Sequence, residues 1–312
     1  MKLFLNYSID CETPPNTKYT EWTERTEFLG GPVSWEFAEA STRGFVELMR
    51  EIGMGDGTTL FVYPDVAQHQ NHLYRELANK GVEIALHLNG MRYSKLKGKK
   101  AKWLGAMSNQ EQKEAISMGK KDLEDVIGRP CLGYRACYGS ANNDTFPICE
   151  ELGFEWASNS SGRCRFETYA NWSGSWAYPH YASRKSKLIP GDMDLFEIPI
   201  TRGLHTFFED DPHKPFDLRV ETPPSVLGPN REILRKILEE NIIEMYLREV
   251  PIRTIVGASH NTNPYGDRSS YQSCNLKYML THTRDLAKEH GLDFVPASFT
   301  QMKAEADRVD SY

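Results

Sequence analysis

Two hydrophobic periods alternate along this chain. Leu3–Ile9 (LFLNYSI) is a nearly continuous apolar run that stops on Asp10, as a strand covered on both faces would. Trp35–Ile52 carries its apolar residues at helical spacing, and Thr58–Tyr63 (TTLFVY) is a second strand. Ala67–Lys80 reads as a helix stopped by Gly81, after which Val82–Leu86 (VEIAL) forms a third strand and delivers His87 at its carboxyl end. Ser108–Ile127 is a long helix with Ser108 as its cap and Glu111 three residues on, the capping-box pattern. Gly133–Tyr134 leads into Arg135–Gly139 (RACYG), and Asp144–Leu152 is a helix ended by Gly153. The C-terminal part adds a helix at Glu232–Arg248, a strand at Arg253–Ala258 running onto Ser259–His260, a helix at Leu276–His290 and a strand at Asp293–Ala297.

The pattern breaks down between about 159 and 229, where aromatic, Ser, Gly and Pro residues dominate and only Leu195–Ile200 reads as a short strand. That stretch is too long for a plain connection, so functional loops or a small insertion are expected. A polar segment with Pro14, Pro15 and Asn16 reads as another long loop. Alternating strands and helices imply an α/β fold with a parallel sheet or barrel, here one domain over 1–312. In such barrels the loops at the carboxyl ends of the strands converge on one face. Asp10 and Glu12, His87, Arg135 and His260 all stand at strand ends, so four separated segments aim their polar residues at one place.

Composition narrows the function. Hydrophobic residues make up 39% and charged residues 26%, with a net charge of −6. The one Lys-rich run, Lys95–Lys102, reads as a solvated surface turn, so no basic face is expected for nucleic acid. No apolar run approaches a membrane span, and the opening MKLFLNYSID fits no export signal, which sets the expectation of a cytoplasmic protein. The six Cys form no CxxC pair and read as free thiols. Partners are expected to be small molecules, neither membrane nor nucleic acid, with assembly into a homo-oligomer left open.

Asp10 and Glu12, two apart on an extended chain, leave the same side and can share a pocket. Together with His87 and His260 they are the side-chain types that amide hydrolysis requires: a metal-activated water, a carboxylate base and an imidazole acid. The order of segments resembles the polysaccharide deacetylases, the NodB-homology group. Ser8–Glu12 (SIDCE) is similar to their first motif, Glu83–His87 (EIALH) to the second, Arg135–Gly139 (RACYG, usually R-x-P-Y-G) to the third and Ile255–His260 (IVGASH) to the fifth. The resemblance implies a distorted (β/α) barrel of about seven parallel strands with long loops at the strand carboxyl ends. It assigns Asp10 as base, Arg135 as its orienting partner, His260 as general acid and Tyr138 as a backbone donor to the oxyanion. It also assigns Glu12 and His87 to a divalent metal, zinc or similar.

The chain departs from that pattern at His87–Met91 (HLNGM), where a second histidine is expected and Met91, a poor ligand for hard ions, stands. Asn89 could offer a carbonyl oxygen or bind substrate, whereas His69 and His72 lie on a helix and read as solvated. Gly90–Tyr93 (GMRY) is a partial, offset echo of the metal-free, allantoinase-like branch, and Trp156–Gly162 lacks that family's usual Asp. Trp172 and Trp176, in a cluster with Tyr178 and Tyr181, either stack on sugar faces or pack the loops. Cys11 reads as a packed small residue. The expected activity is hydrolysis of a non-peptide carbon–nitrogen bond, foremost de-N-acetylation of an acetamido sugar. The alternatives are a metal-independent amide or ureide hydrolase and a lapsed barrel that binds carbohydrate.

Overall fold

Alternate residues of the first strand separate two cores. In β1 (Lys2–Cys11), Leu3, Leu5, Tyr7, Ile9 and Cys11 join a large outer cluster beneath the helices, while Phe4 joins a smaller cluster inside the curl of the sheet. The computed structural model describes residues 1–14, 31–162, 165–166, 169–208, 211 and 214–310. Most of the expected loop after β1, with Pro15 and Asn16, lies outside them, as do Cys164 and His213.

The chain continues through α1 (Trp35–Glu51), β2 (Thr58–Val62), α2 (Pro64–His69), α3 (Asn71–Asn79), β3 (Glu83–Leu88), α4 (Gly90–Leu96) and α5 (Asn109–Ile127). Next come β4 (Gly133–Ala136), α6 (Thr145–Glu151), β5 (Trp156–Ala157), β6 (Arg165–Phe166), β7 (Ala170–Asn171), β8 (His180–Tyr181) and β9 (Phe196–Glu197). The last third holds β10 (Arg202–Phe207), β11 (Pro215–Asp217), α7 (Pro224–Leu227), α8 (Glu232–Leu247), β12 (Arg253–His260), α9 (Tyr271–Glu289), β13 (Asp293–Pro296) and α10 (Phe299–Asp310). The expected helix over Ala67–Lys80 is broken at Gln70 into α2 and α3. Helices α4 and α10 were not expected, and the irregular region holds two small ribbons, β6–β7 and β10–β11.

The main sheet runs β12-β1-β2-β3-β4-β5-β9-β8, with β13 also on β1, and only β8–β9 is antiparallel. Seven strands on that path are therefore parallel, and they curl into a half-barrel. Across the open side, Thr201 N–H donates to Val256 O (3.0 Å) and Val256 N–H donates to Thr201 Oγ1 (2.9 Å). The amino-terminal end of the barrel is filled by Phe4, Phe61, Trp156, Phe196, Phe299 and Met302. Gly133 makes room for this plug, since a Cβ there would lie 2.0 Å from the Trp156 ring. The capping box at Ser108 and Glu111 forms as expected. Lys99 and Lys102 pair with Glu114 and Glu111 on the surface, in keeping with a solvated Lys run.

Candidate active site

The parallel register brings the strand ends together. Asp10 sits opposite His260 on the β1–β12 ladder, and His87 opposite Arg135 on β3–β4. Arg135 is buried and its donors are spent in fixed directions. Nη1 bonds Asp10 Oδ1 (2.9 Å) and Ser8 Oγ (2.9 Å), Nε bonds Ser158 O (3.0 Å), and Nη2 bonds Ser158 Oγ (2.9 Å). Its guanidinium also lies 3.7 Å from the centre of the Phe61 ring. Burial pushes the Asp10 carboxyl up, yet His87, Arg135 and His260 together outweigh it and hold Asp10 below the ordinary carboxylate range. Asp10 is therefore a fixed carboxylate at neutral pH. The segment that lacks the family's Asp serves to hold this strand end: Asn159 Oδ1 accepts from Ala136 N–H (2.6 Å), and buried Glu197 accepts from Asn159 and Ser160 N–H (2.9 and 2.6 Å).

His87 is buried with Nδ1 3.1 Å from Arg135 O. A carbonyl oxygen only accepts, so Nδ1 carries the proton and the Nε2 lone pair is directed at the acids, 3.5 Å from Asp10 Oδ2 and 3.9 Å from Glu12 Oε1. Burial, partly offset by those two acids, lowers the His87 pKa and keeps the ring neutral. A third donor completes the group, because Glu12, His87 and Cys137 each present a ligand atom and all lie within 4.8 Å of one another. The Tyr63 hydroxyl lies 2.9 Å from Cys137 Sγ and 3.3 Å from Glu12 Oε1. Carboxylate, imidazole and thiolate are together a donor set suited to zinc or a similar ion. Sequence reasoning missed Cys137 as a donor although it stands inside RACYG, at the position where the resembling family has Pro. Asn89 does not offer its carbonyl: Oδ1 caps α4 by accepting from Met91 and Arg92 N–H (3.0 and 3.3 Å), which leaves its amide toward Cys137 Sγ (3.4 Å).

His260, at the end of β12, has Nδ1 3.0 Å from Glu221 Oε1. Burial works against the charged ring, but the Glu221 hydrogen bond and charge, then Asp10 and Glu12, raise its pKa to about 9. The ring is still 40% exposed, so water screens part of that attraction. Glu221 also accepts from Ser259 Oγ (2.9 Å). It comes from the irregular region and carried no sequence signal.

These side chains line a cleft of about 660 Å³ that also includes Asn89, Trp103, Tyr138, Arg202 and Arg219. Tyr138 adopts φ 56°, a left-handed turn that a non-glycine residue rarely takes, and its ring meets Trp103 edge-on at 5.4 Å. The aromatic wall of the cleft is thus Trp103–Tyr138. Trp172 also lines this cleft, though it is fully buried, donates Nε1–H to Gly139 O (3.0 Å) and has Lys187 Nζ 3.8 Å from its ring centre. Trp176 lines a separate cavity with Tyr178 and His205. Arg92, from the Gly90–Tyr93 echo, pairs with Asp65 and lines a neighbouring cavity. His69 stacks on Trp35 and His72 pairs with Glu39, both away from the cleft. Cys11 is buried with its thiol pushed up to about 12 by burial, which makes it inert. With Cys131, Cys137, Cys149 and Cys274 it forms no disulfide.

Fold and site together define a class: curled (β/α) half-barrels of the NodB type with an acid–imidazole cleft at the strand carboxyl ends. A family model, Polysaccharide deacetylase, matches residues 31–157. No curated protein matches the chain. Among solved structures, a Mycobacterium smegmatis protein provisionally described as a polysaccharide deacetylase shares the fold at TM-score 0.62 and 15% identity, covering 99% of this chain and 91% of that one. The PuuE allantoinase does so at 0.60 and 13%, covering 99% and 92%. A Parabacteroides distasonis protein provisionally described as a glycoside hydrolase/deacetylase reaches 0.63 at 11%, covering 98% and 71%. The family match points to a deacetylase or a related carbon–nitrogen hydrolase. No helix among the described residues is long and apolar enough to cross a membrane.

Proposed function

We propose that the protein hydrolyses a non-peptide carbon–nitrogen amide bond, foremost the acetamido group of a sugar-like substrate, with Asp10 as base and His260 as acid. The observation that carries this reading is the convergence in one cleft of Glu12, His87 and Cys137 with the Asp10–Arg135 and His260–Glu221 pairs. A divalent cation held by Glu12, His87 and Cys137 would polarise the amide carbonyl and acidify the attacking water. Asp10, kept ionised and aimed by Arg135, takes the proton of that water. His260, kept protonated by Glu221, delivers a proton to the leaving nitrogen, so that one proton is accepted and one is returned. The Tyr138 backbone, turned at the cleft, is the candidate donor to the developing oxyanion.

Acetate release from a panel of N-acetylated amino sugars tests this. Asp10→Asn is expected to lower kcat by about 10²–10⁴, the usual worth of a positioned base. Equal rates for wild type and variant would overturn the reading. Met91, in the place of a second histidine, favours one other reading, a metal-independent amide or ureide hydrolase. That alternative requires full activity after dialysis against chelator, whereas the metal-assisted reading requires its loss and recovery on adding zinc or cobalt.

A further inference from the structure

The cleft holds two guanidinium groups that this reaction does not use. Arg202 opens β10 and faces Asp217 across the β10–β11 ribbon, and Arg219 follows two residues later. Both converge on the one buried carboxylate of Asp217. Arg202 pairs with it through Nη1 and also donates Nε–H to Ser161 Oγ. Arg219 donates from Nε (2.8 Å), Nη2 (2.6 Å) and its backbone N–H (3.1 Å). Burial alone would push Asp217 up, but Arg219 and Arg202 hold it far below the carboxylate range, so the triad stays ionised. Beside it lies the charged His260–Glu221 pair. Three cations thus face two carboxylates, and this end of the cleft keeps an excess of positive charge. Toward His87 the cleft holds Asp10, paired with Arg135, and Glu12, which leaves one net negative charge at that end.

Arg202 reaches only Oδ2 of Asp217 and Arg219 also reaches Oδ1, but one guanidinium already balances the charge of this carboxylate, so the second leaves a positive charge over. Arg219 is gripped along one edge by a buried carboxylate, yet its side chain remains 48% exposed. Its Nη1 makes no hydrogen bond or ion pair among the described residues, and it lines the cleft together with Ser259 and His260. A guanidinium immobilised on one edge presents the other as a fixed fork, with its ordering entropy already spent. We infer that Arg219, braced by Asp217 and Arg202, binds an anionic substituent of the substrate, a phosphate or a carboxylate, while the amide reacts at the acidic end. The inference rests on the amide-hydrolase reading for the remainder of the substrate and on the cleft alone for the anion.

Binding and turnover separate the two. Inorganic phosphate titrated calorimetrically into the full-length protein is expected to bind, and Arg219→Gln to weaken it at least tenfold, while Arg219→Lys, which keeps the charge and loses the fork, falls between. Thermal melting without phosphate identifies a variant that has merely failed to fold, in which case the Lys variant decides. Unchanged affinity in a folded Gln variant, or no binding to the wild type, overturns the anion site. In turnover, kcat/KM for an N-acetylhexosamine 1-phosphate or an N-acetylated hexosaminuronate is expected to exceed that for the neutral sugar by tenfold or more, and the preferred member of the pair identifies the anion. Equal values overturn the proposal even if all are hydrolysed. Arg219-dependent phosphate binding with no amide hydrolysed would sink the deacetylase reading and leave the anion site standing.

Discussion

Glu221 fixes the protonation of His260 through a 3.0 Å contact, and that contact determines where the activity ends on the alkaline side. A general acid must be protonated, so activity that depends on His260 is lost as pH rises through its pKa of about 9. Glu221→Gln removes the charge and should return the ring toward an ordinary value of about 6.5, which moves the alkaline limb of kcat/KM to lower pH. Stability follows the same sign. A histidine whose pKa is raised on folding contributes stability that is complete below its unfolded pKa and lost as pH rises through the folded one, so the wild-type advantage over Glu221→Gln should shrink between pH 6 and 9.5. A pH–rate profile with an unmoved alkaline limb would remove His260 from the acid role. Cys137 gives a second test at this scale. Burial, then Glu12 and Asp10, push its thiol well above the normal range, so without a cation it carries its proton, which a bound ion must displace. Cobalt-loaded protein should show thiolate-to-cobalt charge-transfer absorption in the near ultraviolet. Cys137→Ala should abolish that band and lower the bound metal per chain on elemental analysis, whereas an unaltered spectrum would strike Cys137 from the ligands.

Glu83 joins two elements that the sequence places more than two hundred residues apart. From the start of β3 its carboxylate accepts the Phe299 and Thr300 N–H groups (2.9 Å each) at the start of α10, and the Thr59 hydroxyl (2.6 Å). Glu83→Ala should cost about 1–3 kcal/mol in urea denaturation, since it strands those donors against the plugged end of the barrel. A midpoint unchanged from wild type would show that packing of Phe299 and Met302 alone holds α10. The same elements show what could be read in advance. Strands such as Leu3–Ile9 and Thr58–Tyr63 announced themselves because both faces are covered and apolar residues run on without a break. Helix α4, only seven residues long, is too short for a helical period to stand out. The site divides in the same way. Asp10, His87, Arg135 and His260 were legible because strand ends are marked by a change from apolar to polar residues. Met91 was legible as a departure from the family pattern, but its substitute was not. Cys137 reaches His87 only because β3 and β4 are neighbours, and adjacency of strands is a tertiary fact. Glu221, Asp217 and Arg219 come from a region with no lasting period, and because aromatic residues in loops pack as readily as they stack, the sequence could not separate Trp172, which lines the cleft, from Trp176, which lines another cavity.

A half-barrel must close its open side by some means other than a full ladder, and here two hydrogen bonds between Thr201 and Val256 do so. Their position matters to the cleft. Thr201 immediately precedes Arg202 on one wall, and Val256 lies four residues before His260 on the other. The seam therefore governs how far the Arg202–Asp217–Arg219 triad stands from the proposed acid. Thr201→Val keeps the shape and deletes only the hydroxyl that accepts the Val256 N–H, which leaves a buried donor unpaired. The expected cost is about 1–3 kcal/mol, with faster amide hydrogen exchange at Val256 than in wild type. Exchange in β2 and β3, on the far side of the curl, should be unaffected. Catalysis gives the sharper reading, because a seam that positions the two walls should, when loosened, lower kcat well below the melting temperature. A uniform loss of protection across the whole sheet would instead mean that Thr201 contributes only to global stability, and that the distance across the cleft is set by the helices packed outside it.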